Sequence, residues 1–250
     1  MLFENKVVVV TGAGSGIGEA TVIHFAKEGA NVVILDCNEA SAQKVAEKCK
    51  AFGKRVLFMK TDVSKDDEAK AAIEKTIEEF GRLDVLINNA GIVRKGKLVN
   101  KTIMNTYDEV LNTNLRGVVL MTSLATPHLI ETKGCIVNTS SIVSKDIKHG
   151  SAYPSYGVSK AGVDYFTRVA AFELAESGVR VNSVNPGPVY TNVYKNNNID
   201  YTMDNVADTV ALKRVSDPEE IAELMVFLAS DKAKSVTGSC YEIDNGMSLS

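Results

Sequence analysis

A chain of 250 residues with 45% hydrophobic and 24% charged side chains has an ordinary globular composition, enough for a sizeable core in one α/β domain. A net charge of −3 without any Lys/Arg block argues against nucleic-acid binding, and no window holds the unbroken apolar run of a membrane span. The four cysteines (Cys37, Cys49, Cys135, Cys240) are scattered, without CxxC or His-rich partners, which points to reduced thiols in a cytoplasmic protein and to no metal site.

The predicted elements alternate from the start. The N-terminal apolar run is too short for a signal peptide and leads directly into a strand, "KVVVV", β-branched and apolar throughout as in a strand buried on both faces. After a glycine-rich turn, "IGEATVIHFAKEG" puts Ile17, Ala20, Ile23 and Ala26 at helical spacing, and Gly29 can end the helix. "NVVIL" is the next strand, "EASAQKVAEKCKAFG" a helix closed by Gly53, and "RVLFMKTDV" a strand. "DDEAKAAIEKTIEEFG" is a helix with acids in its first turn, as the helix dipole prefers, and "LDVLINNAG" is a strand running into a loop.

A mainly helical stretch follows over residues 104–130. "CIVNTSS" and "RVNSVNPG" read as two more buried strands, with a helix near residues 155–177 between them. "DPEEIAELMVFLAS" carries its own start signals: Asp217 can cap, Pro218 suits the first turn, and Glu220 sits at the capping-box position. "SCYEID" is the last strand. About seven strands with crossovers this long predict a doubly wound parallel sheet with helices on both faces, as one domain over residues 1–250. Residues 192–212 are polar and Asn-rich, and suit either a lid over a ligand or a surface excursion.

"TGAGSGIG", residues 11–18, lies between the first strand and the first helix. A dinucleotide pyrophosphate needs a backbone that can come very close and free N–H groups at a helix N-terminus; Gly12, Gly16 and Gly18 allow that approach. Asp36 ends the second strand, where an acid accepts from the adenosine ribose 2′-OH and repels a 2′-phosphate. Neither Ser15 nor Cys37 is a cation that would reverse the preference, so NAD(H) is expected over NADP(H).

The chain resembles the classical short-chain dehydrogenase/reductase family over nearly its whole length. The residues that carry the likeness are TGAGSGIG, Asp62-Val63, NNAG (residues 88–91), Asn114, TSS (residues 139–141), YGVSK (residues 156–160) and NPGPVYT (residues 185–191). Each motif alone is weak; their order and spacing together are specific, and TGxxxGxG differs from the GxGxxG of other Rossmann dehydrogenases. The resemblance implies a Rossmann-type fold with a bound nicotinamide cofactor. Ser15 and Ile17 would line the cofactor with the three glycines, Cys37 would flank it beside Asp36, and Asp62 and Val63 would contact the adenine. Asn89, Ala90 and Gly91 would shape the adjoining loop, with Thr113 and Thr139 beside the cofactor. Pro186, Gly187, Val189 and Thr191 would hold the nicotinamide carboxamide.

Reduction of a ketone builds negative charge on its oxygen, so a site must stabilise that oxygen and deliver a proton. A free tyrosine has a pKa of about 10, and a nearby ammonium lowers it. In "SAYPSYGVSK", residues 151–160, Tyr156 has Lys160 one helical turn on, whereas Tyr153 has Gly157 there. Pro154 suits the opening of a helix, which leaves Tyr153 at the mouth as packing or substrate lining. By resemblance Ser141 bonds the substrate oxygen and Tyr156 exchanges the proton. Lys160 lowers the tyrosine pKa and holds the ribose, and Asn114 carries a relay water, the bland alternative being an asparagine satisfied by backbone.

Three departures stand out. Ser141 and Tyr156 are further apart than the commonest family spacing, Ser144 replaces a frequent glycine, and the C-terminus reads "IDNGMSLS" in place of a paired glycine. Among the other polar residues, His149 reads as a solvated loop histidine and Lys95 and Lys97 as solvated surface, while His24 and His128 have no catalytic partners; Tyr190, Tyr194 and Tyr201 flank the lid segment and can line an apolar pocket. The reading that results is an NAD(H)-dependent oxidoreductase interconverting a secondary alcohol and a ketone, a homotetramer by resemblance. Its rivals are a 3-oxoacyl thioester reductase, which Asp36 argues against, a non-catalytic NAD-binding sensor or scaffold, and an epimerase or dehydratase of the longer extended branch.

Overall fold

The computed structural model describes residues 1–191 and 206–249. Strands β1 (Val7–Thr11), β2 (Asn31–Asp36), β3 (Val56–Lys60), β4 (Val85–Asn88), β5 (Cys135–Thr139), β6 (Arg180–Pro186) and β7 (Cys240–Ile243) form one parallel sheet in the order β3-β2-β1-β4-β5-β6-β7. From β1 the chain winds outward to β3, then returns to β4 on the other side of β1 and winds out to β7. Two strands therefore diverge at the β1/β4 boundary, the switch point where open parallel sheets bind ligands at their carboxyl ends.

The helices are α1 (Gly16–Lys27), α2 (Glu39–Lys50), α3 (Asp66–Phe80), α4 (Met104–Leu111), α5 (Gly117–Thr132), α6 (Ile147–Gly150), α7 (Pro154–Leu174) and α8 (Pro218–Ala229). Alternate residues of each central strand enter opposite layers. Val8, Val10, Val32 and Ile34 pack with Val22 and Phe25 of α1, Val45 of α2 and Met225 of α8. Val7, Val9, Val33 and Leu35 pack with Ile73 of α3, Met121 and Leu129 of α5 and Ala170 of α7. Both faces are apolar, which is why "KVVVV" shows no alternation and why all of β1 is buried. Each such side chain contributes about 1.5–3 kcal/mol of burial.

The stretch expected to be helical over residues 104–130 is α4, a π-helical turn at Asn112–Arg116, and α5. Asn112, Thr113 and Asn114 are weak helix formers, and the Gly117 N–H reaches back to the Asn112 carbonyl across the wider turn. The α8 start is as expected: the Glu220 carboxylate accepts from the Asp217 N–H at 2.9 Å. Residues 192–205 of the 192–212 segment, with Tyr194 and Tyr201, lie outside the described residues. Of the remainder only Val206 and Val210 are buried, Val210 against Ile142 and Met247, and Leu212 is exposed. No helix among the described residues is long and apolar enough to cross a membrane.

Candidate active site

The strand ends at the switch point are tied together first. Thr11 Oγ1 accepts from the N–H groups of Asn89 at 2.9 Å and Ala90 at 3.0 Å. Asn89 Nδ2 donates to the carbonyls of Thr11 and Gly12, each at 3.1 Å. Gly12 and Gly16 take φ of +62° and +56°, and a Cβ at Gly18 would run into the Gly12 carbonyl oxygen. Ser15 is the N-cap of α1 without a capping side-chain bond, so the first-turn N–H groups carry no side-chain cap. The methyl group of Thr191 reaches the same turn: a Cβ at Gly16 would lie 3.1 Å from it. The glycine-rich turn and the far end of NPGPVYT thus meet in space.

Asp36 closes this side. Its Oδ2 accepts from the Gly14 N–H and its Oδ1 from the Asn38 N–H, both at 2.8 Å. A Cβ at Gly14 would come 2.8 Å from the carboxylate carbon, so the acid leans directly on the turn. Cys37 follows it, with its thiol pushed up by partial burial and then by the charges of Asp36 and Asp62. Asp62 Oδ1 accepts from the Ser64 N–H and hydroxyl at 2.9 and 2.7 Å, and Val63 is buried against Gly117. A close-approach turn, an uncapped helix start and an acid at the end of β2 are what a dinucleotide requires, and the residues fit that group.

The second half of the site lies at the carboxyl ends of β5 and β6. Tyr153 is the N-cap of α7 and Pro154 its first residue, which sets Tyr156 and Lys160 one turn apart on the same helix. Lys160 is 3% exposed; Nζ donates to the Thr139 carbonyl at 2.6 Å and lies 5.6 Å from the Tyr156 ring centroid. Burial pulls its pKa down to about 8, against an opposing push from the Asp164 charge. Tyr156 keeps part of its surface open. The protein packed around it pushes its pKa up, and the hydrogen bond with the Ser141 hydroxyl pulls it only partly back. Desolvation is the larger influence on the phenol, and no lowering by Lys160 offsets it.

Ser141 is buried, with Oγ donating to the Pro186 carbonyl at 3.4 Å and accepting from the Val143 N–H at 3.4 Å. Both contacts are long, which leaves the hydroxyl free to turn toward a shorter partner. Asn114 sits in the π-helical turn, fully buried. Its Oδ1 accepts from the Ile92 N–H at 2.8 Å, and its Nδ2 donates to the Ile92 carbonyl at 2.9 Å and to Ser159 Oγ at 3.2 Å. Ser159 in turn donates to the Tyr156 carbonyl at 2.7 Å. The Asn114 side chain is thus the satisfied asparagine of the bland alternative, and it ties the loop after β4 to the tyrosine's helix. Gly91 lies beside both groups: a Cβ there would be 3.5 Å from Asn114 Oδ1 and 3.7 Å from Lys160 Nζ.

Gly187 allows the loop after β6 to pass Asp244, whose Cα a Cβ would meet at 2.7 Å, and Val189 is buried beyond it. Lys95 and Lys97 are exposed, as expected. His149 is not the solvated histidine expected. It is partly buried, with Nδ1 2.6 Å from Asp146 Oδ2, in the short helix α6 that the longer Ser141–Tyr156 spacing creates. Burial pushes Asp146 up, but its hydrogen bonds with His149 bring it below the usual carboxylate range. Sequence reasoning passed over Asp164, which accepts from Ser144 Oγ at 2.6 Å. The available signal was an acid four residues after Lys160, and so on the same face of the helix.

The likeness to known proteins covers nearly the whole chain. The family model described as enoyl-(acyl carrier protein) reductase matches residues 12–248. The chain is 38% identical to a meso-2,3-butanediol dehydrogenase of Serratia marcescens over 250 residues, covering 100% of this chain and 97% of that protein. It is 37% identical to a 3-oxoacyl-[acyl-carrier-protein] reductase of Thermotoga maritima, covering 99% of each. Among solved structures, a short-chain type dehydrogenase/reductase from Mycobacterium marinum superposes with a TM-score of 0.92 at 30% identity, over 100% of this chain and 98% of the other. Carveol dehydrogenase from Mycobacterium avium in complex with NAD gives 0.93 at 27% identity, over 100% and 99%. With the sheet order, the glycine-rich turn and the Ser–Tyr–Lys cluster in place, the chain belongs to the short-chain dehydrogenase/reductase family and is an oxidoreductase.

Proposed function

We propose that this chain is an NAD(H)-dependent oxidoreductase that interconverts a small secondary alcohol and its ketone. The observation that carries the reading is the convergence of Ser141, Tyr156 and Lys160 at the ends of β5 and β6, beside the switch point that holds the glycine-rich turn. A bound nicotinamide supplies or accepts the hydride; the chain's own residues handle the proton and the charge. Ser141 Oγ and the Tyr156 phenol address one substrate oxygen. The serine stabilises negative charge developing there, and Tyr156 gives its proton in reduction and takes it back in oxidation. Lys160 uses one of its three protons on the Thr139 carbonyl, which leaves two donors for the ribose hydroxyls. A relay water at Asn114 would rest on its main-chain carbonyl, since the side chain is committed to Ile92 and Ser159.

NAD(H) is favoured over NADP(H) because Asp36, held by two backbone N–H groups, would face the 2′-phosphate with a carboxylate. The second reading, a 3-oxoacyl thioester reductase, is favoured by the Thermotoga maritima relative. A non-catalytic sensor has no use for the complete Ser/Tyr/Lys set. Self-association, up to the homotetramer the resemblance implies, is supported by an apolar stripe on α7 (Val158, Tyr165, Val169, Phe172), in which Phe172 is 89% and Tyr165 68% exposed. Four free thiols suit the cytoplasm.

The test is a screen of NADH oxidation and NAD reduction over ketones, 3-oxoacyl thioesters and secondary alcohols, with Tyr156→Phe as control. Loss of the phenol should lower kcat by about 10²–10⁴-fold while NADH still binds. Near-full activity in Tyr156→Phe refutes the mechanism. Preference for NADPH with 3-oxoacyl thioesters selects the second reading.

A further inference from the structure

We propose that Asp164 is a positioning residue of this site: a buried carboxylate that clamps the turn after β5 and the end of β6 onto α7, and places negative charge one turn from Lys160. The proposal rests on the Ser141/Tyr156/Lys160 reading above.

Asp164 is 3% exposed on the buried face of α7. Its oxygens accept only from neutral donors on other elements. Ser144 Oγ donates to Oδ2 at 2.6 Å, Asn185 Nδ2 lies 3.0 and 2.9 Å from Oδ1 and Oδ2, and Ser183 Oγ lies 3.3 Å from Oδ1. The Ser183 hydroxyl has one proton and also faces Asn185 Oδ1 at 3.0 Å. A group surrounded by donors is matched as an acceptor-only carboxylate. Asn185 Nδ2 extends the clamp to Ser144 Oγ at 3.3 Å and to the main-chain carbonyl of Ser141 at 3.4 Å. The serine that addresses substrate is thereby linked to the helix that carries the tyrosine. Ser144, which departs from the family's frequent glycine, supplies the shortest bond.

A clamp alone does not need a charge, and a buried carboxylate is costly unless something compensates it. Among the described residues no cation lies within ion-pair distance of Asp164. The charged and titratable groups around it are Lys160 and Arg168 on α7, Lys145 on the turn after β5, and Cys240 and Glu242 on β7. Arg168 Nε bonds the Asp164 main-chain carbonyl at 3.2 Å, and Lys145 is paired with Glu242 at 2.8 Å. Cys240 Sγ reaches the same carbonyl at 3.9 Å. Of these cations Lys160 is the buried one, four residues earlier on the same helix, and it feels the Asp164 charge. Burial disfavours that ammonium and Asp164 favours it. Without the Asp164 charge, Lys160 gives up its proton at lower pH, and reduction loses a group it needs in cationic form.

The experiment compares pH profiles of ketone reduction in wild type, Asp164→Asn, Ser144→Ala and Tyr156→Phe, with NADH affinity and thermal unfolding as controls. In Asp164→Asn the alkaline limb should move to lower pH and kcat at neutral pH should fall on the order of 10-fold, with NADH affinity retained. Ser144→Ala should lower kcat by a few fold, about 3-fold, with the limb in place, because the charge remains. An Asp164→Asn limb that coincides with wild type overturns the proposal. If Asp164→Asn does not fold, Ser144→Ala decides, and wild-type kcat there overturns the clamp. Tyr156→Phe separates the two levels: activity in that variant refutes the underlying site, whereas its loss beside an unmoved Asp164→Asn limb refutes only the role of Asp164.

Discussion

Lys160 makes a testable demand on stability. Its ordinary pKa of 10.5 falls to about 8 in the folded chain because burial disfavours the ammonium. Between those two values the unfolded chain binds more protons than the folded one, so stability should rise with pH across that window. Below pH 8 the full cost is present; it is relieved as the lysine deprotonates in the fold. The gap, at about 1.4 kcal/mol for each pH unit, comes to about 3 kcal/mol, most of which falls between pH 7 and pH 10.

The perturbation is Lys160→Met, which keeps the stem and removes the charge. Its absolute stability also contains the orphaned Thr139 carbonyl and the loss of a charge beside Asp164, so the test reads the change with pH and not the offset. The burial that pushes Cys49 up to about 12 and Cys135 up to about 11 is common to both proteins and cancels in the difference. Urea unfolding at one protein concentration, repeated from pH 7 to pH 10, should therefore show wild type gaining about 2–3 kcal/mol on Lys160→Met. The same gain corresponds to about 5–10 °C in Tm for a chain of this size. A difference that stays constant over this range would mean that Lys160 is not a buried cation, and the electrostatic account of the site would fail.

Three other substitutions test separate parts of the structure. Gly18→Ala drives a methyl group into the Gly12 carbonyl, so NADH affinity should fall by at least about 10-fold and stability by about 1–3 kcal/mol; unchanged NADH titrations would contradict the packing of the turn. Asp36→Ala should raise the NADPH/NADH ratio of kcat/KM by about 10-fold or more, and a ratio that stays put would remove Asp36 from cofactor choice. Phe172→Glu places charge in the exposed α7 stripe and should lower the sedimenting mass; an unaltered assembly would move the subunit contact elsewhere.

The first strands and their helices were legible because both layers draw on alternate residues of runs such as "KVVVV" and "NVVIL", so each of these strands appears in sequence as an unbroken apolar segment. The glycine-rich turn, Asp36 and the Tyr156–Lys160 pair were legible for a different reason: each is local, and its chemistry needs specific residue types at one spacing. The π-helical turn was not, since one extra residue per turn leaves no periodic mark in "NTNLR". Asn114 was placed by resemblance, but its two bonds to Ile92 depend on how the loop after β4 folds back, which no local pattern encodes. His149 was misjudged for the same kind of reason. A loop histidine three residues after an aspartate becomes a partly buried pair only because α6 forms there.

The protonation states that the fold imposes point one way. Burial raises the phenol and lowers the ammonium, so each change disfavours the phenolate–ammonium pair that a proton acceptor requires. At neutral pH the residues rest as phenol and ammonium, the form that donates a proton to a developing alkoxide. Oxidation must begin from the less populated form. Three features limit that cost without removing it: the Ser141 hydroxyl at the phenol, the Thr139 carbonyl on Lys160, and the Asp164 charge one turn below. Each comes from an element that ends at the same sheet edge. The edge itself is polar where strand residues reach the site (Asn138, Ser183 and Asn185 interrupt the unbroken apolar run seen in β1 and β2), so the place where the sheet gives up hydrophobic burial is the place where it holds charge.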